Sequence, residues 1–417
     1  MKALQFLTDP EPWPEPLTDD DPPLLHKLAA SPVALVDLPD PPLLGDDWLV
    51  LRNRITGICG SDSKQVLMDF DDSDDNLMTA FISFPEVLGH EVVATIDTVG
   101  PAVSSSARSG AGLEPGQRVV LYPNLGCRPR GISPMCPACE AGNYSICWNF
   151  HAGSLSPGIH TGNATEATGG FAELLPAHAS MAFPVPDGVP DEVAVLADPW
   201  SVSFHAITNH PPASASKVIV YGAGALGSTA TAILGQLYPS VDVATVARWP
   251  AQAALARHLG ATVFDPEPRD ALVEALADWS GGVLRRPWNG LPATWPGHVD
   301  VIYDTVGAPS TVEVGIRVLR EQGTLVQLGV SSPARFEWTP WYFKELRLVG
   351  SNAFGDETFE GVRRHAYEHF FALLQADRID LSGLLTHRFA LDDWRDAFST
   401  IVRQGDTGAV KVAFDFR

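Results

Sequence analysis

The chain has 417 residues, of which 45% are hydrophobic and 19% are charged, a composition typical of folded globular proteins with room for two domains. Its formal net charge of −22 repels phosphate backbones and anionic lipid headgroups, so nucleic acid and membrane are excluded as expected partners. The N-terminal residues lack the uninterrupted apolar stretch of a signal peptide, and we expect a cytoplasmic location. Five cysteines in a reducing compartment indicate metal binding or catalysis rather than a disulfide framework.

The first half of the chain predicts a β-rich domain. Residues 1–45 are rich in proline and aspartate and predict an irregular or edge-strand entry. From Trp48 onward, short β-branched runs such as EVVATIDTVG end at glycine, proline or asparagine, which indicates antiparallel, barrel-like strands. One short helix is expected near residues 61–68. The acidic run at residues 69–75 lacks the glycine and glutamate of a calcium loop, so a solvated loop is the favoured interpretation.

The second half predicts an open parallel sheet. A buried strand, KVIVY, enters a glycine turn that opens a helix and leads to a second strand, which is the pattern of a βαβ unit. Further strands follow at HVDVIYDTVG and GTLVQLGV, with helical segments before each. Residues 287–297 are interpreted as an inserted loop and residues 357–375 as one long helix. The last helix and strand are expected to return to the first domain.

The glycine turn has the spacing of a dinucleotide-binding fingerprint. Gly222 makes the turn, Gly224 lets the backbone approach a pyrophosphate, and Gly227, preceded by Leu226, packs the helix on the strand. A tight turn without a nucleotide is the alternative. The strand before the turn and the helix after it favour nucleotide binding.

The residues at the end of the second strand predict the cofactor. A site that prefers NAD has an aspartate or glutamate there to bind the ribose 2′-hydroxyl, whereas this chain has Ala247 followed by Arg248. Because an arginine can pair with a 2′-phosphate, we favour NADP over NAD. In the alternative interpretation, Arg248 stacks on the adenine or points into water.

Four of the five cysteines lie in one stretch and predict a structural zinc site: Cys127, Cys136, Cys139 and Cys147. The two-residue gap between Cys136 and Cys139 lets neighbouring thiolates reach one tetrahedral zinc, and four sulfur ligands leave no open position for a substrate. The alternative is a chance group of four buried thiols.

The fifth cysteine predicts a second metal site. Cys59 lies on one loop, and His90 followed by Glu91 lies on another. A thiolate, an imidazole and a carboxylate can hold a catalytic zinc with a position open for a substrate oxygen. Taken singly, a cysteine is usually a small buried hydrophobe and a histidine a hydrogen-bonding core residue. The prediction therefore depends on their joint occurrence.

These motifs together resemble the zinc-containing medium-chain dehydrogenase/reductase family of alcohol and polyol dehydrogenases. The resemblance runs from about Trp48 to the C-terminus and includes GICGSD, GHE, CPACEAGNYSIC, LADPWSVSFHA, GAGALG, YDTVG and ELRLVGS. It implies an α/β protein of two domains. A GroES-like β-barrel catalytic domain would comprise residues 1–200 and residues 351–417, and a Rossmann domain with a doubly wound parallel sheet would comprise residues 201–350.

The resemblance also implies roles for the site residues. Cys59 and His90 would bind the catalytic zinc, and Glu91 would be a ligand that exchanges with substrate or water. Asp198 matches an acid near the metal and would be either a fourth ligand or a carboxylate that acts through water. Ser61 matches the hydroxyl that takes the alcohol proton. The four-cysteine stretch departs from the family, because eight residues rather than two separate its first two cysteines.

The function that the resemblance implies is hydride transfer between an alcohol or polyol carbon and NAD or NADP, with one catalytic and one structural zinc. The partners expected with it are a small-molecule alcohol or carbonyl substrate and further copies of the chain, in a homodimer or homotetramer. Two rivals remain open. One is a metal-free quinone or enoyl reductase of the same fold, and the other is a zinc- and nucleotide-binding redox sensor without turnover.

Overall fold

The computed structural model describes residues 1–9, 11–14, 16–68, 80–103, 112–330 and 335–417. The acidic run at residues 69–75 lies outside these ranges, so its interpretation as a solvated loop stays a prediction. The chain divides into two compact units, unit 1 with Met1–Asp198 and Leu385–Arg417, and unit 2 with Pro199–Leu384. Within the described ranges, no helix combines the length and the apolar character needed to cross a bilayer.

The described chain contains both strands and helices. The strands are β1 (Lys2–Phe6), β2 (Val33–Asp37), β3 (Trp48–Gly57), β4 (Glu86–Val87), β5 (Glu91–Val99), β6 (Arg118–Leu121), β7 (Leu174–His178), β8 (Ala182–Pro184), β9 (Lys217–Tyr221), β10 (Asp242–Val246), β11 (Thr262–Phe264), β12 (Leu284–Arg285), β13 (Ala293–Thr294), β14 (Val299–Asp304), β15 (Leu319–Gln327), β16 (Arg347–Gly350), β17 (Asp356–Phe359), β18 (Val362–His365), β19 (Leu385–Phe389) and β20 (Lys411–Asp415). The helices are α1 (Pro23–Ala29), α2 (Gly60–Val66), α3 (Pro137–Glu140), α4 (Asp191–Ala194), α5 (Ala197–Asn209), α6 (Ala225–Leu237), α7 (Pro250–His258), α8 (Arg269–Ser280), α9 (Pro309–Val318), α10 (Thr339–Phe343), α11 (Ala366–Gln375), α12 (Trp394–Val402) and α13 (Gln404–Thr407).

Unit 1 is built around a sheet with the strand order β19, β20, β3, β5, β6 and β8, in which β7 also pairs with β3. The predicted β-rich first half is therefore present. A smaller sheet has the order β2, β1 and β4. Residues 1–45 thus supply the edge strand β2, as predicted, and also the central strand β1, which was not predicted. The reason is apolar burial, since Leu4 and Phe6 pack in one core with Leu25 of α1.

Unit 2 is an open parallel sheet with the strand order β11, β10, β9, β14, β15 and β16. Strand β9 is buried along most of its length because its apolar run is covered on both faces. The chain starts at β9, builds outward to β11, and then returns to the other side of β9 with β14. This order confirms the doubly wound sheet, and its switch point between β9 and β14 is where such sheets bind ligands.

The segment at residues 357–375 corrects one prediction. Instead of one long helix, it contains the hairpin β17 to β18 followed by α11. Glu360 and Gly361 both have positive φ, at 49° and 78°, and make the tight turn. The carboxylate of Glu357 is buried, lies 2.6 Å from His205 Nδ1 and accepts a 3.1 Å hydrogen bond from Asn209. These contacts with α5 hold the segment as a strand.

The same contacts move the expected domain boundary. The sequence resemblance placed the return to the first domain at residue 351, whereas the contacts place it at Leu385. Residues 356–384 stay with unit 2 because the hairpin binds α5 and because Phe370 of α11 packs against Trp200, with ring centroids 5.3 Å apart. The returning tail consists of β19, α12, α13 and β20.

Candidate active site and structural metal site

Three ligand-type side chains meet at one place in unit 1. Cys59 directly precedes α2, whereas His90 and Glu91 stand at the start of β5, which pairs with the end of β3. The Cys59 sulfur, a ring nitrogen of His90 and a carboxylate oxygen of Glu91 all lie within 4.8 Å of one another. This donor set fits one zinc ion and leaves a position for a further ligand.

Asp62 holds two of these groups in place. It is buried in the first turn of α2, where its Oδ2 accepts a 3.0 Å hydrogen bond from the Cys59 backbone N–H and its Oδ1 lies 3.3 Å from His90 Nδ1. Burial opposes ionisation, but the His90 imidazole keeps the pKa of Asp62 below its usual range. A carboxylate at Nδ1 leaves Nε2 of His90 as the nitrogen for a metal and fixes the ring orientation.

Two more predicted site residues, Ser61 and Asp198, each lie in the first turn of a helix. Ser61, two residues after Cys59, is exposed in the first turn of α2, so its hydroxyl is accessible to a small molecule. Asp198 is buried in the first turn of α5. Its carboxylate is not a member of the group whose ligand atoms lie within 4.8 Å of one another. The two alternatives for Asp198, a fourth ligand and a carboxylate that acts through water, therefore both stay predictions.

Lys411 is a site residue that the sequence did not indicate. It is the buried first residue of β20, and its ammonium contacts Glu91 Oε2 and donates a 3.0 Å hydrogen bond to the Ile58 carbonyl. Burial opposes the charged form, but Glu91 outweighs it and raises the pKa of Lys411. Lysine at a strand end is ordinarily a surface residue, and only the pairing of β20 with β3 brings this one to the site.

A second buried polar cluster in unit 1 was also not predicted from the sequence. The buried carboxyl of Glu86 on β4 accepts hydrogen bonds from the side-chain amides of Gln65 and Asn163. Burial raises the pKa of Glu86 to about 8. Nearby, the ring of His160 packs on the ring of His90 with centroids 4.4 Å apart, and burial lowers the pKa of His160 to about 4, which keeps that imidazole neutral.

We expect Glu86→Gln to remove a pH dependence from the stability of the protein. The ordinary pKa of the carboxyl is 4.5, whereas the folded protein holds its proton up to about pH 8. Between these values the folded state binds more protons than the unfolded state, so the free energy of unfolding falls as the pH rises, by up to about 1.4 kcal/mol per pH unit. Urea unfolding at about pH 5 and about pH 9 measures this change.

The expected result is a variant that gains stability relative to wild type as the pH rises. Glu114→Gln is the control, because Glu114 is exposed and its replacement removes a carboxyl without removing a buried one. A difference between Glu86→Gln and wild type that stays constant over this pH range would contradict the prediction.

The other four cysteines form a second candidate metal site after β6. The sulfurs of Cys127, Cys136, Cys139 and Cys147 lie within 4.8 Å of one another, and all four residues are buried. The sulfur of Cys147 is 3.7 Å from that of Cys127 and 3.9 Å from that of Cys136. Two sulfurs bound to one tetrahedral zinc at about 2.3 Å are about 3.8 Å apart, so this spacing fits a zinc with four thiolate ligands.

The longer spacing between Cys127 and Cys136 contains an unusual arginine. Arg130 is 1% exposed, and its guanidinium donates five hydrogen bonds, all to backbone carbonyls. The acceptors are the carbonyl oxygens of Leu125, Ala152, Leu155, Ser156 and Gly158, at 2.6–3.1 Å. Arg130, which lies in the insertion, thus holds the loop after Cys147 through these hydrogen bonds.

The glycine turn of unit 2 has the backbone geometry of a dinucleotide-binding turn. Gly222 has a φ of +98°, and a Cβ at Gly227 would overlap the carbonyl oxygen of Gly222. A Cβ at Gly224 would instead find no atom within 4 Å. This open space lies at the N-terminus of α6, whose first turn includes Leu226, and backbone N–H groups at a helix N-terminus attract phosphate.

The predicted cofactor-selecting residues follow β10 at the same edge of the sheet. Ala247 is buried, whereas Arg248 is exposed and its guanidinium lies over the ring of Trp249 at 4.8 Å from the centroid. The structure therefore brings the glycine turn and Arg248 to the carboxyl ends of adjacent strands, as a dinucleotide site requires.

Comparison with known proteins identifies both units. The family model for alcohol dehydrogenase GroES-like domains matches residues 45–187, and the model for zinc-binding dehydrogenases matches residues 225–367. The chain belongs to the zinc-type medium-chain dehydrogenase/reductase family. This result confirms the resemblance and the fold class, and it makes the protein an oxidoreductase with a nicotinamide cofactor.

Individual medium-chain dehydrogenases match the chain over nearly its whole length. The L-threonine 3-dehydrogenase of Salmonella paratyphi B is 28% identical, with 94% of this chain and 99% of the relative covered. Alcohol dehydrogenase TADH from Thermus sp. ATN1 superposes with a TM-score of 0.73 at 21% identity, covering 100% of both chains. The 2R,3R-butanediol dehydrogenase from Bacillus subtilis superposes with a TM-score of 0.69 at 20% identity, covering 100% of this chain and 99% of its own. The two structural matches establish the shared fold.

Proposed function

We propose that this medium-chain dehydrogenase reversibly oxidises an alcohol or polyol carbon and uses one catalytic zinc, one structural zinc and NADP. The observation that carries the proposal is that the ligand atoms of Cys59, His90 and Glu91 lie within 4.8 Å of one another. The exposed Ser61 follows Cys59 by two residues. A redox sensor without turnover has no use for an accessible hydroxyl at this position. A metal-free reductase has no use for the three ligands.

The catalytic zinc would be held by Cys59, His90 and Glu91, and it would supply a Lewis acid that polarises the substrate oxygen. Ser61 would relay the proton of the alcohol, accepting it and passing its own hydroxyl proton to solvent, because it is exposed in the first turn of α2. Asp62 keeps the Cys59 backbone and the His90 ring in the orientation that ligation needs. The nicotinamide cofactor carries the hydride.

The structural zinc would be held by the four cysteines after β6 and would fix that loop rather than take part in the reaction. The pyrophosphate of the cofactor would lie over Gly224 at the N-terminus of α6, where open space and backbone N–H groups coincide. For assembly, we propose a homodimer or homotetramer, which sedimentation velocity can measure.

The substrate class follows from the chemistry of the site and from the names of two relatives. L-threonine and 2R,3R-butanediol each carry a polar group on the carbon next to the alcohol carbon. The neutral imidazole of His160 lies beside His90 and offers a hydrogen-bonding partner for such a group. We therefore propose a secondary alcohol with a neighbouring hydroxyl or amino group.

A turnover assay tests the proposed function. The purified protein, loaded with zinc, is mixed with NADP⁺ or NAD⁺ and a panel of simple alcohols, vicinal diols, polyols and amino alcohols, and cofactor reduction is followed by absorbance. Reduction that depends on the alcohol and stops after removal of the metal by a chelator supports the proposal. Reduction that persists without metal would contradict the catalytic zinc. Oxidation of NADPH by a quinone or an enone, without alcohol-dependent reduction, would favour the metal-free reductase, and no reaction in either direction would favour the sensor.

We expect Arg248→Ala to raise the KM for NADPH while the KM for NADH stays near the wild-type value. A guanidinium bound to a 2′-phosphate makes charge-assisted hydrogen bonds, and their loss corresponds to roughly a 10- to 100-fold increase in KM. Arg257→Ala is the matched control, because Arg257 is another exposed arginine that follows β10, on α7. Equal effects of Arg248→Ala on the two cofactors would contradict the preference for NADP.

A further inference from the structure

The buried pair of Lys411 and Glu91 joins two parts of the candidate zinc site. The side chains are 2% and 1% exposed, and the lysine ammonium contacts the Oε2 atom of the carboxylate. The same ammonium donates a 3.0 Å hydrogen bond to the carbonyl of Ile58, the residue before Cys59. One cation therefore contacts both of the segments that supply ligands.

The backbone around the pair is shaped to accept it. Gly57 ends β3 and is paired with Glu91 on one side and with Ala413 on the other. A Cβ at Gly57 would overlap Oε2 of Glu91 and would come within 2.9 Å of Cε of Lys411. Because Gly57 has no side chain, the ion pair fits beside β3 without a steric clash.

The charges around the site explain why a cation belongs there. The Lys411 ammonium contacts Glu91, and negative charge on Cys59 and Asp198 would stabilise it further. A divalent metal among the thiolate of Cys59 and the carboxylates of Glu91, Asp198 and Asp62 leaves net negative charge in a buried place, and the ammonium reduces it. Buried charge without compensation is strongly unfavourable, so the metal and Lys411 share the neutralisation of these anions.

The metal and the ammonium also compete for one carboxylate, because Oε2 of Glu91 can bind to either. We propose that Lys411 is a positioning residue that draws Glu91 away from the metal and so keeps one coordination position available to the alcohol oxygen. This inference rests on the proposed function, since it requires zinc at Cys59 and His90. According to this inference, a residue of β20 controls ligand exchange at the metal.

The decisive variant is Lys411→Met, which removes the charge and keeps the length of an unbranched side chain. Without the cation, Glu91 binds the metal continuously, and the repulsion between ammonium and metal is lost. We expect zinc release to a chelator to slow by roughly tenfold or more, as the loss of one unit charge a few ångströms from a divalent ion predicts. The KM for the alcohol is expected to rise, because the substrate oxygen must now displace Glu91.

If Lys411 had a purely structural role, Lys411→Met would loosen the site. Zinc release would then be faster than in wild type, not slower. Lys411→Arg retains the charge and is expected to release zinc at nearly the wild-type rate. Lys344→Met is the matched control in unit 2, where Lys344 is also buried and its ammonium donates to the carbonyls of Arg317 and Leu319. It is expected to leave release from the Cys59 site unchanged.

If Lys411→Met does not fold, Lys411→Gln replaces it, because the amide keeps a donor for the Ile58 carbonyl and lacks the charge. Zinc release that is equal to or faster than in wild type, in a folded variant, would overturn the inference. The proposed function fails separately, if wild-type protein holds no zinc that depends on Cys59. Metal content and the metal release rate therefore distinguish the two failures.

Discussion

Replacing Cys59 by serine is expected to lower the zinc content from two ions per chain to one and to abolish most of the turnover. The described residues contain two separate groups of candidate metal ligands, and Cys59 belongs to the group with His90 and Glu91. A Lewis acid supplies several kcal/mol of transition-state stabilisation, so its loss corresponds to a decrease in kcat/KM of roughly a thousandfold or more. Elemental analysis and steady-state kinetics on the same preparation measure both effects.

The reciprocal variant is Cys139→Ser, which belongs only to the four-cysteine group. It is expected to lose the other zinc and to lower the stability of the loop, with the Cys59 site still occupied. One zinc per chain in both wild type and Cys59→Ser would show that the Cys59 group holds no metal, and the proposed mechanism would then be wrong.

Arg130→Met is expected to lower the stability of the protein strongly. Its guanidinium satisfies the carbonyls of five residues, and methionine can satisfy none of them. A buried carbonyl without a partner costs about 1–3 kcal/mol, so the free energy of unfolding is expected to fall by about 5 kcal/mol or more. Denaturant unfolding of the zinc-loaded protein measures the change.

Arg128→Met is the matched control, because Arg128 lies two residues away in the same insertion and is exposed. Its replacement is expected to change the free energy of unfolding by no more than about 0.5 kcal/mol. Limited proteolysis offers an independent measurement, since Arg130→Met is expected to expose residues 152–158 to cleavage. Similar stabilities for the two variants would contradict the prediction.

The sequence predicted the parts of the site that lie in short local motifs. Cys59, His90 and Glu91 come together because the end of β3 and the start of β5 pair directly, so two short motifs are enough to place them. The four cysteines are likewise contained in one loop. The strand before the glycine turn and the helix after it were predicted from periodicity alone.

The residues that the sequence did not predict depend on contacts between distant segments. Lys411 reaches the site through a hydrogen bond to Ile58 across 353 positions of the chain, and no pattern near residue 411 indicates it. Arg130 has the residue type least expected to be buried, and its role becomes visible only when five carbonyls converge on it.

The incorrect helix at residues 357–375 has a similar cause. The segment has helix-forming composition, but the buried Glu357 finds its partners, His205 and Asn209, on α5 about 150 positions earlier. Tertiary contacts thus override local preference there. They also move the boundary of the returning tail to Leu385.

Unit 1 is formed by two separate segments of the chain, so the two units complete their folding at different times during synthesis. Residues 199–384 form one uninterrupted compact unit, whereas unit 1 is completed only by β19 and β20. Synthesis on the ribosome proceeds from the N-terminus, and domains generally fold as they emerge. A nascent chain therefore completes unit 2 before β20 and Lys411 emerge, so the capacity to bind cofactor precedes the capacity to use it.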